Sequence, residues 1–585
     1  MIKKVVWLLI SCLMVLTLII SSCGTDEEEP TDNGGDETPV VSPTTPKVGG
    51  TVVATGGDFG PIDPTKAQAI RVGHMMFTSN ELIQGDWTKG PQGSGETHWD
   101  WGFLGDVTLL AGELCESWEF PDSGTIIYNI RKGIHYQDRP PANGRELDAN
   151  DVVWNINMQF DYEGTWQAMS YAPGHPGRPT SVKALDDYTV EVKVSPDYQG
   201  IIFLEIGDNL YTNPPECWTE GDGWQDWSEV VGSGPFILAD YVVGSSIRYD
   251  KHPNYFESDP NNPSYKLPYL DAVKLLIIPD TSSRLAAFRT AQIDMLWGFG
   301  TPTWDDAQDL IESNSKLEYY GKLSSGAVAA GRQDKLDLPF HKLEVRQAMN
   351  LAVDQKAILD DYYDGKGALI VHPYHPSSGF EKFYTPLEEQ PQEVQMLYDY
   401  DPEKAKQLLA DAGYPEGFKT EIICNPTQTD VVSLLKAYLE AVGIEMDIQT
   451  VEIGAYNGIW AARDFEQMLF GPLTGVWAPF EQLTTKKGMY SNFSYIDDPY
   501  YEMVGEVIGK DMVSNPAKYF KTMKDEGVYE LSSAWAIWMP GQYNYNIWWP
   551  WVQNFDGVSW AGWANISDLY KYFWIDEDMK ADMGY

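Results

Sequence analysis

The segment LLKAYLEAVGIEMDI, residues 434–448, contains two hydrophobic repeats of different period. After Gly443, which can end a helix, Ile444, Met446 and Ile448 alternate with acidic residues, as in a half-buried strand. Before Gly443 the apolar residues follow the spacing of one helix face, and they are Leu434, Leu435, Tyr438, Leu439 and Val442. The segment therefore predicts a helix followed directly by a strand.

The same two patterns recur along the chain without a repeat of fixed length. Asp148 is placed to cap one helix, and Asp401-Pro402 begins another helix that Gly413 ends. Residues 188–194 alternate as a strand, and residues 236–249 predict a hairpin. Helices between strands indicate α/β lobes, and a chain of 585 residues is long enough for more than one lobe.

The N-terminus has the pattern of an export signal. Lys3-Lys4 precede an apolar run, Val5 to Ile20, that is too short to span a membrane. The run ends in Ser21-Ser22-Cys23, where small residues precede a cysteine as in bacterial lipoprotein signals. We expect removal of residues 1–22 as a signal peptide and attachment of lipid to Cys23.

Residues 23–47 are rich in acidic residues, glycine and proline, with almost nothing apolar to bury, so we expect a disordered tether. The whole chain has a formal net charge of −45, which would repel a phosphate backbone and argues against nucleic acid as a partner. It also contains 22 Trp and 34 Tyr, more than a chain of this length usually has, and some of these rings are candidate ligand contacts.

The cysteines that follow Cys23 do not form a recognisable site. Cys115, Cys217 and Cys424 are odd in number, and their wide spacing fits neither a zinc cluster nor a CxxC redox motif. The sequence leaves open whether Cys115 and Cys217 form a disulfide.

Several segments, in order, resemble the peptide/nickel class of bacterial extracytoplasmic solute-binding proteins, known as family 5. The motifs are LCESWE at 114–119, YNIRKGIHY at 128–136, LDANDVV at 147–153, GSGPF at 232–236, HPNYF at 252–256, LPYLD at 267–271, VRQAMNLAVD at 345–354 and YDPEKAK at 400–406. Each motif alone is weak, but their order from about residue 50 to the C-terminus is specific.

This resemblance implies a fold and a division into domains. The implied fold is α/β, of the two-lobed Venus flytrap type of periplasmic binding proteins, with a hinge and an extra inserted domain. The first lobe would comprise residues 48–85, 225–290 and 525–585, the inserted domain residues 86–224, and the second lobe residues 291–524. In such proteins the lobes close around a ligand in the cleft between them.

The resemblance also implies a function without catalysis or cofactor. The expected protein is a monomeric, lipid-anchored subunit of an ABC importer at the outer face of the cytoplasmic membrane or in the periplasm. It would capture a peptide or similar small organic solute and deliver it to a membrane permease. An oligosaccharide or nickel chelate as ligand, and a sensing role, stay open. A secreted hydrolase is least favoured, because no GxSxG, HExxH or P-loop motif is present.

The candidate ligand contacts combine residues at the predicted cleft rim, aromatic rings that can stack, and one arginine that can clamp an anion. For the tryptophans, packing in a lobe core is the alternative. The candidates are Asp58, Phe59, Trp87, Trp99, Trp101, Arg332, Tyr374, Trp460, Trp477, Phe480 and Glu481.

Phe480 bears most directly on the ligand. Peptide-binding members of the family resemble one another in a W-x-x-D stretch whose Asp accepts the ligand's α-ammonium group. Here Trp477-Ala478-Pro479-Phe480 places a phenyl ring at that position, and a phenyl ring cannot form this charge-assisted hydrogen bond. The adjacent Glu481 is a possible substitute. Peptides with a free amino group are therefore less secure as ligands than the family name suggests.

His372-Pro373-Tyr374-His375 could offer two nitrogen ligands to a metal such as nickel. The proline favours an extended loop, however, and no cysteine or carboxylate partner is evident nearby in the sequence. We therefore predict no metal site.

Overall fold

The computed structural model of the chain describes residues 45–58, 62–63, 74–100, 106–162, 165–221, 223–324, 326–471, 492, 494–562 and 567–585. The predicted signal peptide, the lipidation site Cys23 and most of the predicted tether lie outside the described residues. The described body is built on four sheets of four or more strands and two short strand pairs.

The first sheet, in the predicted first lobe, brings the start of the body together with a strand that follows much later. Thr51–Thr55 pairs in parallel with Ala272–Leu276, which continues into an antiparallel pair. The complete order is Thr51–Thr55, Ala272–Leu276, Ser246–Lys251 and Phe236–Val242. The last two strands are the hairpin predicted for residues 236–249, and their antiparallel pairing confirms it.

The second sheet lies in the predicted inserted domain and is antiparallel throughout. Its order is Cys115–Asp122, Thr125–Ile130, Thr189–Lys193 and Ser181–Asp186. The alternation of residues 188–194 is explained by burial, because Val190 and Val192 face the core while Thr189 and Glu191 are less buried.

The third sheet is the mixed sheet of the predicted second lobe. Its order is Ile444–Thr450, Phe418–Cys424, Met468–Gly471, Val328–Gly331 and Ile537–Trp538. The helix and strand predicted from residues 434–448 are confirmed as Thr429–Glu440 and Ile444–Thr450. Burying Leu435 and Leu439 of that helix against the sheet stabilises the lobe by about 1.5–3 kcal/mol for each side chain.

A fourth sheet joins segments from the middle and the end of the chain, and we call it the junction sheet. Its strands Met295–Leu296, Gly541–Trp548 and Glu318–Leu323 are antiparallel neighbours, and Gly367–Ala368 pairs with the same central strand. The short pairs are Ile83–Gly85 with Leu110–Gly112 and Val552–Gln553 with Trp574–Ile575.

Helices cover the sheets, and their starts follow the capping residues found in the sequence. Asp148 forms a capping box with Asp151, and Asp401 caps a helix with proline at its first position. The α-helices are Met75–Thr78, Ala149–Asp161, Trp166–Ser170, Gln199–Gly207, Glu216–Thr219, Thr281–Arg289, Trp304–Ser313, Leu343–Leu351, Gln355–Ala357, Gln392–Gln395, Pro402–Asp411, Thr429–Glu440, Ile453–Ala462, Pro499–Ser514, Pro516–Ser532 and Glu577–Asp582.

The boundaries between lobes stay a prediction, because Pro46–Tyr585 forms one compact unit. Ile537–Trp538, assigned by sequence to the first lobe, pairs with Val328 and Ala329 in the third sheet. This pairing favours moving that strand to the second lobe. Within the described part of the chain, no helix has both the length and the apolar composition needed to cross a membrane.

The three described cysteines are buried free thiols, so Cys115 and Cys217 are not paired in this structure. Burial raises the pKa of each of these two thiols to about 12, which keeps them protonated and unreactive.

Asp294 connects the first sheet to the junction sheet. Its fully buried carboxylate accepts hydrogen bonds from Val53 N at 2.7 Å, Trp551 Nε1 at 2.8 Å and Lys580 Nζ at 2.8 Å. Its backbone carbonyl also accepts from Trp549 N at 3.0 Å. One side chain thus joins the first strand of the body, the segment after Gly541–Trp548, and the C-terminal helix.

Substituting Asp294→Ala should lower the free energy of unfolding by about 3–5 kcal/mol, because it leaves buried donors and a lysine without their acceptor. Urea unfolding followed by tryptophan fluorescence measures this loss. The matched control is Asp271→Ala, since the exposed Asp271 accepts one bond from Gly50 N at 3.2 Å. We expect a change below about 1 kcal/mol for the control. A similar small change for Asp294→Ala would contradict the joining role.

Candidate functional site

A cluster of polar and aromatic side chains lies where three predicted parts of the chain meet on the junction sheet. Tyr320 and Lys322, two residues apart on Glu318–Leu323, project from the same face of that strand. His98 and Asp100 come from the predicted inserted domain, and Trp560 comes from the C-terminal return to the predicted first lobe. We call these five residues the junction cluster.

Short contacts hold the cluster together. The rings of His98 and Tyr320 stack with centroids 3.9 Å apart and 9° between their planes. Tyr320 donates its hydroxyl hydrogen to Asp100 Oδ2 at 3.1 Å, and His98 Nδ1 lies 3.2 Å from Asp100 Oδ1. The Lys322 ammonium lies 5.7 Å from the centre of the Trp560 ring.

Hydrogen bonds to the backbone hold these loops against the junction sheet. Ser559 N and Trp560 N both donate to the carbonyl of Trp99 at 3.0 Å, and Asn546 of the central strand donates its amide to Gly557 O at 2.8 Å. On the other side, His98 N donates to Ser378 Oγ at 2.6 Å. Loops from distant parts of the sequence are thereby fixed against the face that carries Lys322.

The electrostatics of the cluster centre on the lysine. Burial lowers the pKa of Lys322 to about 8, although the nearby Asp100 carboxylate acts in the opposite direction. Burial also lowers the pKa of the neighbouring His375 to about 3, so that imidazole is neutral at pH 7. Among the described residues of this cluster, Asp100 is the acid that acts on the Lys322 amine.

Arg332, the predicted anion clamp, is engaged within its own lobe. It forms two hydrogen bonds with the Asp334 carboxylate at 2.7 and 2.6 Å, and it donates to Phe465 O at 2.9 Å. Its guanidinium also stacks over the Tyr495 ring at 3.6 Å. The Asp334 carboxylate raises the pKa of this guanidinium. Its role as an anion clamp stays a prediction.

The other predicted contacts in the first part of the chain have partners inside the protein. Asp58 Oδ1 accepts hydrogen bonds from Tyr241 Oη and Gly244 N, both at 2.9 Å, and so fastens the hairpin turn. Trp87 is buried and stacks on Tyr572 at 4.4 Å, and Trp99 is buried as well. Burial favours the packing alternative for both tryptophans, while a ligand contact at either ring stays a prediction.

The remaining candidates lie in the predicted second lobe or outside the described residues. Tyr374 is buried and donates to Glu526 Oε2 at 3.0 Å. Trp460 is half-buried beside Gly471, the last described residue before 472–491. The candidates outside the described residues are Phe59, Trp101, Trp477, Phe480 and Glu481.

A second buried polar cluster surrounds the predicted HPYH segment. His372 Nε2 lies 2.7 Å from Glu530 Oε1, and its ring stacks on Trp538 at 4.4 Å. Burial lowers the pKa of His372 to about 3 and raises that of Glu530 to about 7. Burial and the Glu530 carboxyl together raise the pKa of Glu526 well above its ordinary value. A protonated Glu530 can therefore donate a hydrogen bond to the neutral imidazole of His372. In the described ranges, no group of three side chains that could hold a metal ion occurs.

Comparison with known proteins defines the family. A model of "Bacterial extracellular solute-binding proteins, family 5 Middle" matches residues 110–493. The chain belongs to this family. The match contains the second sheet, the third sheet except its strand Ile537–Trp538, and Lys322 of the junction cluster.

Relatives agree with this assignment. The chain is 29% identical to heme-binding protein A of Haemophilus influenzae over 381 residues, which is 60% of this chain and 63% of that protein. The chain thus spans slightly less than two thirds of this relative.

Solved structures match over more of the chain. The periplasmic binding protein DppA of Helicobacter pylori, in complex with the peptide STSA, has a TM-score of 0.67 at 20% identity and covers 91% of this chain and 99% of its own. AgaA of A. tumefacien R10, in complex with agropinic acid, has a TM-score of 0.66 at 18% identity, with 90% and 99% covered. These likenesses confirm the predicted α/β fold of the two-lobed periplasmic-binding-protein type.

The junction cluster was not predicted from the sequence, because its members come from separate segments and none belongs to a motif. For the two buried acids of the second polar cluster, the sequence carries a clearer signal. Glu526 and Glu530 are four residues apart on Pro516–Ser532 and follow the apolar face of Tyr519, Met523 and Leu531. Acidic residues in register with an apolar helix face indicate buried carboxyls.

Substituting Glu530→Gln should change the pH dependence of stability. The folded protein releases the Glu530 proton near pH 7 and the unfolded chain near 4.5, so the stability from this group is lost as pH rises between these values. Glutamine keeps a donor for His372 and cannot ionise. The variant should gain on the order of 3 kcal/mol over wild type between pH 4 and 8 in urea unfolding.

Asp525→Asn is the control, because Asp525 is exposed on the same helix. This variant should follow the wild-type profile throughout. Equal pH profiles for Glu530→Gln and wild type would show that Glu530 is already ionised in the folded protein.

Proposed function

We propose that this chain is the substrate-binding subunit of an ABC importer and has no catalytic activity. The observation that carries this proposal is membership of the solute-binding family over residues 110–493, a match that includes Lys322 of the junction cluster. Reversible binding between lobes needs no covalent step. The free thiols at Cys115 and Cys217 have raised pKa values, so neither favours a nucleophilic role.

The proposed ligand is a peptide or a similar small organic solute. The compared structures support both classes, since one was solved with the peptide STSA and another with agropinic acid. The name of the Haemophilus relative adds heme as a third class. Phe480 in place of the ammonium-binding aspartate favours solutes that are not held by a free amino group.

The proposed location is outside the cytoplasmic membrane, with lipid on Cys23 and the body on the tether of residues 23–47. Support comes from the charged start, the short apolar run and the Ser-Ser-Cys end of the signal. A lipid anchor would keep a monomeric binding protein close to its permease, and a membrane receptor is the alternative partner.

Native purification followed by mass spectrometry of the protein and its extract should identify a trapped solute. Adding this solute to the stripped protein should change tryptophan fluorescence, and the solute should be recovered unchanged. Extract from an unrelated acidic protein, purified in parallel, is the control for carry-over. Conversion of the solute to a product would overturn the proposal in favour of a hydrolase.

Substituting Cys23→Ser should abolish lipid attachment, because serine has no thiol to form the thioether. We expect labelled palmitate to enter the wild-type chain and not the variant, and the variant to keep its signal peptide. Cys12→Ser is the matched control, since Cys12 lies inside the signal and should not affect labelling. Equal labelling of wild type and Cys23→Ser would show that the anchor is elsewhere or absent.

A further inference from the structure

Two carboxyl groups are buried side by side on the helix Pro516–Ser532. Glu526 is fully buried, Glu530 is 4% exposed, and the two residues lie about one helical turn apart. In the described part of the chain, Glu526 Oε1 and Glu530 Oε2 have no protein donor, and the two carboxyl groups lie within hydrogen-bonding reach of each other. Two carboxyl groups this close are stable when they share a proton.

The other two oxygens of the pair contact a different segment of the chain. Tyr374 donates its hydroxyl hydrogen to Glu526 Oε2 at 3.0 Å. His372 Nε2 lies 2.7 Å from Glu530 Oε1. The pair is therefore the polar centre of the contact between the helix and residues 370–385, which we call the clasp segment.

The packing of the clasp segment is close against the helix and open beside it. A Cβ atom on Gly527 would lie 3.0 Å from the Tyr374 ring and 3.4 Å from Pro373, so the segment packs directly against the helix backbone. A half-open pocket with about 190 Å³ of space lies next to this contact, and its wall includes His372, Tyr374 and Lys524. The pocket gives the buried carboxyl groups a route for proton exchange with solvent.

The groups that face the pair from the described elements carry no charge at neutral pH. Burial lowers the pKa of His372 to about 3, and burial raises the pKa of each tyrosine hydroxyl that faces the acids. The titratable groups that face the acids from the clasp segment and from the helix Pro499–Ser514 are His372, Tyr374, Tyr500 and Tyr501. Ionising both acids would therefore place two like charges in the interior without a counter-ion from these groups.

The clasp segment also holds the predicted inserted domain. Ser378 Oγ accepts a hydrogen bond from His98 N at 2.6 Å. Lys382 forms an ion pair with Asp106. Just before the segment, Gly367–Ala368 pairs with the central strand of the junction sheet. A change in how the segment packs on the helix would thus reach both the inserted domain and the junction sheet.

We propose that Glu526 and Glu530 form a pH-dependent latch, in which a proton shared by the two carboxyl groups holds the clasp segment on the helix and loss of the protons to solvent releases it. The step is an acid–base equilibrium, and no other bond is made or broken. The inference goes beyond the proposed function, because it concerns an opening of the body that requires no particular solute. It places the contacts of the inserted domain under the control of pH.

The acidity of Glu530 determines the pH range of the latch. Burial raises the pKa of this carboxyl to about 7, from an ordinary value of 4.5, so the closed segment binds the proton more tightly than the open one. Closure is therefore fully favoured below pH 4.5, and its equilibrium constant falls about tenfold for each pH unit between these two values. Burial and Glu530 raise the pKa of Glu526 well above its ordinary value, which extends the loss above pH 7.

Hydrogen exchange followed by mass spectrometry on the full chain at pH 5, 6, 7 and 8 tests the latch. Exposure times are scaled for the intrinsic pH dependence of exchange. In wild type, the protection of peptides from residues 370–385 should fall on the order of tenfold per pH unit between pH 5 and 7. Peptides from the helix Thr429–Glu440 should keep their protection and serve as an internal reference. In Glu526→Gln/Glu530→Gln, whose side chains keep their size and cannot ionise, the protection of the clasp segment should not depend on pH.

Asp525→Asn is the matched control, because Asp525 is exposed on the same helix and its substitution should leave the wild-type slope unchanged. Thermal unfolding at pH 5 establishes that each variant is folded. If the double variant does not fold, Glu530→Gln alone takes its place, and its slope should be shallower than that of wild type.

Infrared difference spectra give a direct readout of the shared proton. Wild type at pH 6 should show the C=O stretching band of a protonated carboxyl group, and this band should be missing from the double variant and weaker in Glu530→Gln. A role in packing alone would not produce this band.

Four results would overturn the latch. They are protection of the clasp segment that does not change with pH in wild type, a wild-type slope in the variants without the acids, no protonated carboxyl band at pH 6, or an equal loss of protection in all peptides. The last result would show that the protons act on the whole fold. None of these results bears on whether the chain binds a solute, so the proposed function is tested separately.

Discussion

The buried carboxylate of Asp294 is the interaction on which the described architecture depends. It joins Val53, 241 positions earlier in the chain, to Trp551 and Lys580, 257 and 286 positions later. Met295–Leu296 follows directly and enters the junction sheet, so the same residue fixes where that sheet stands relative to the first sheet. The junction cluster is built on Glu318–Leu323, which pairs with the other edge of the central strand Gly541–Trp548, so its position also depends on Asp294.

Local structure could be predicted from the sequence wherever a short pattern determines it. Asp148 and Asp401 cap helices as expected. The helix–strand unit of residues 434–448 forms as predicted, because its buried apolar residues on both elements pack in one core. Sheet order could not be predicted in this way. The parallel pairing of Thr51–Thr55 with Ala272–Leu276 depends on segments that are distant in sequence, and the family resemblance supplied the architecture instead.

The candidate site was less predictable, for a physical reason. A residue type reveals what a side chain can do, but its neighbours decide whether it is free to do so. Arg332 has the chemistry of an anion clamp, yet two of its guanidinium nitrogens, Nε and Nη2, already donate to the carboxylate of Asp334. Lys322 belongs to no motif, and only its burial in the folded protein lowers the pKa of its amine.

The hydrogen bonds of Asp294 also determine when, during synthesis of the chain, the body can be completed. A growing chain presents Val53 and Asp294 long before Trp551 and Lys580 exist, so the acid has neither its indole nor its ammonium partner until the C-terminal segment appears. The first sheet and the junction sheet can only be locked together after the last strands have been made. The native body is therefore completed only after translation. Nascent chains, and chains truncated before Trp551, lack the hydrogen bonds that Asp294 accepts from Trp551 and Lys580.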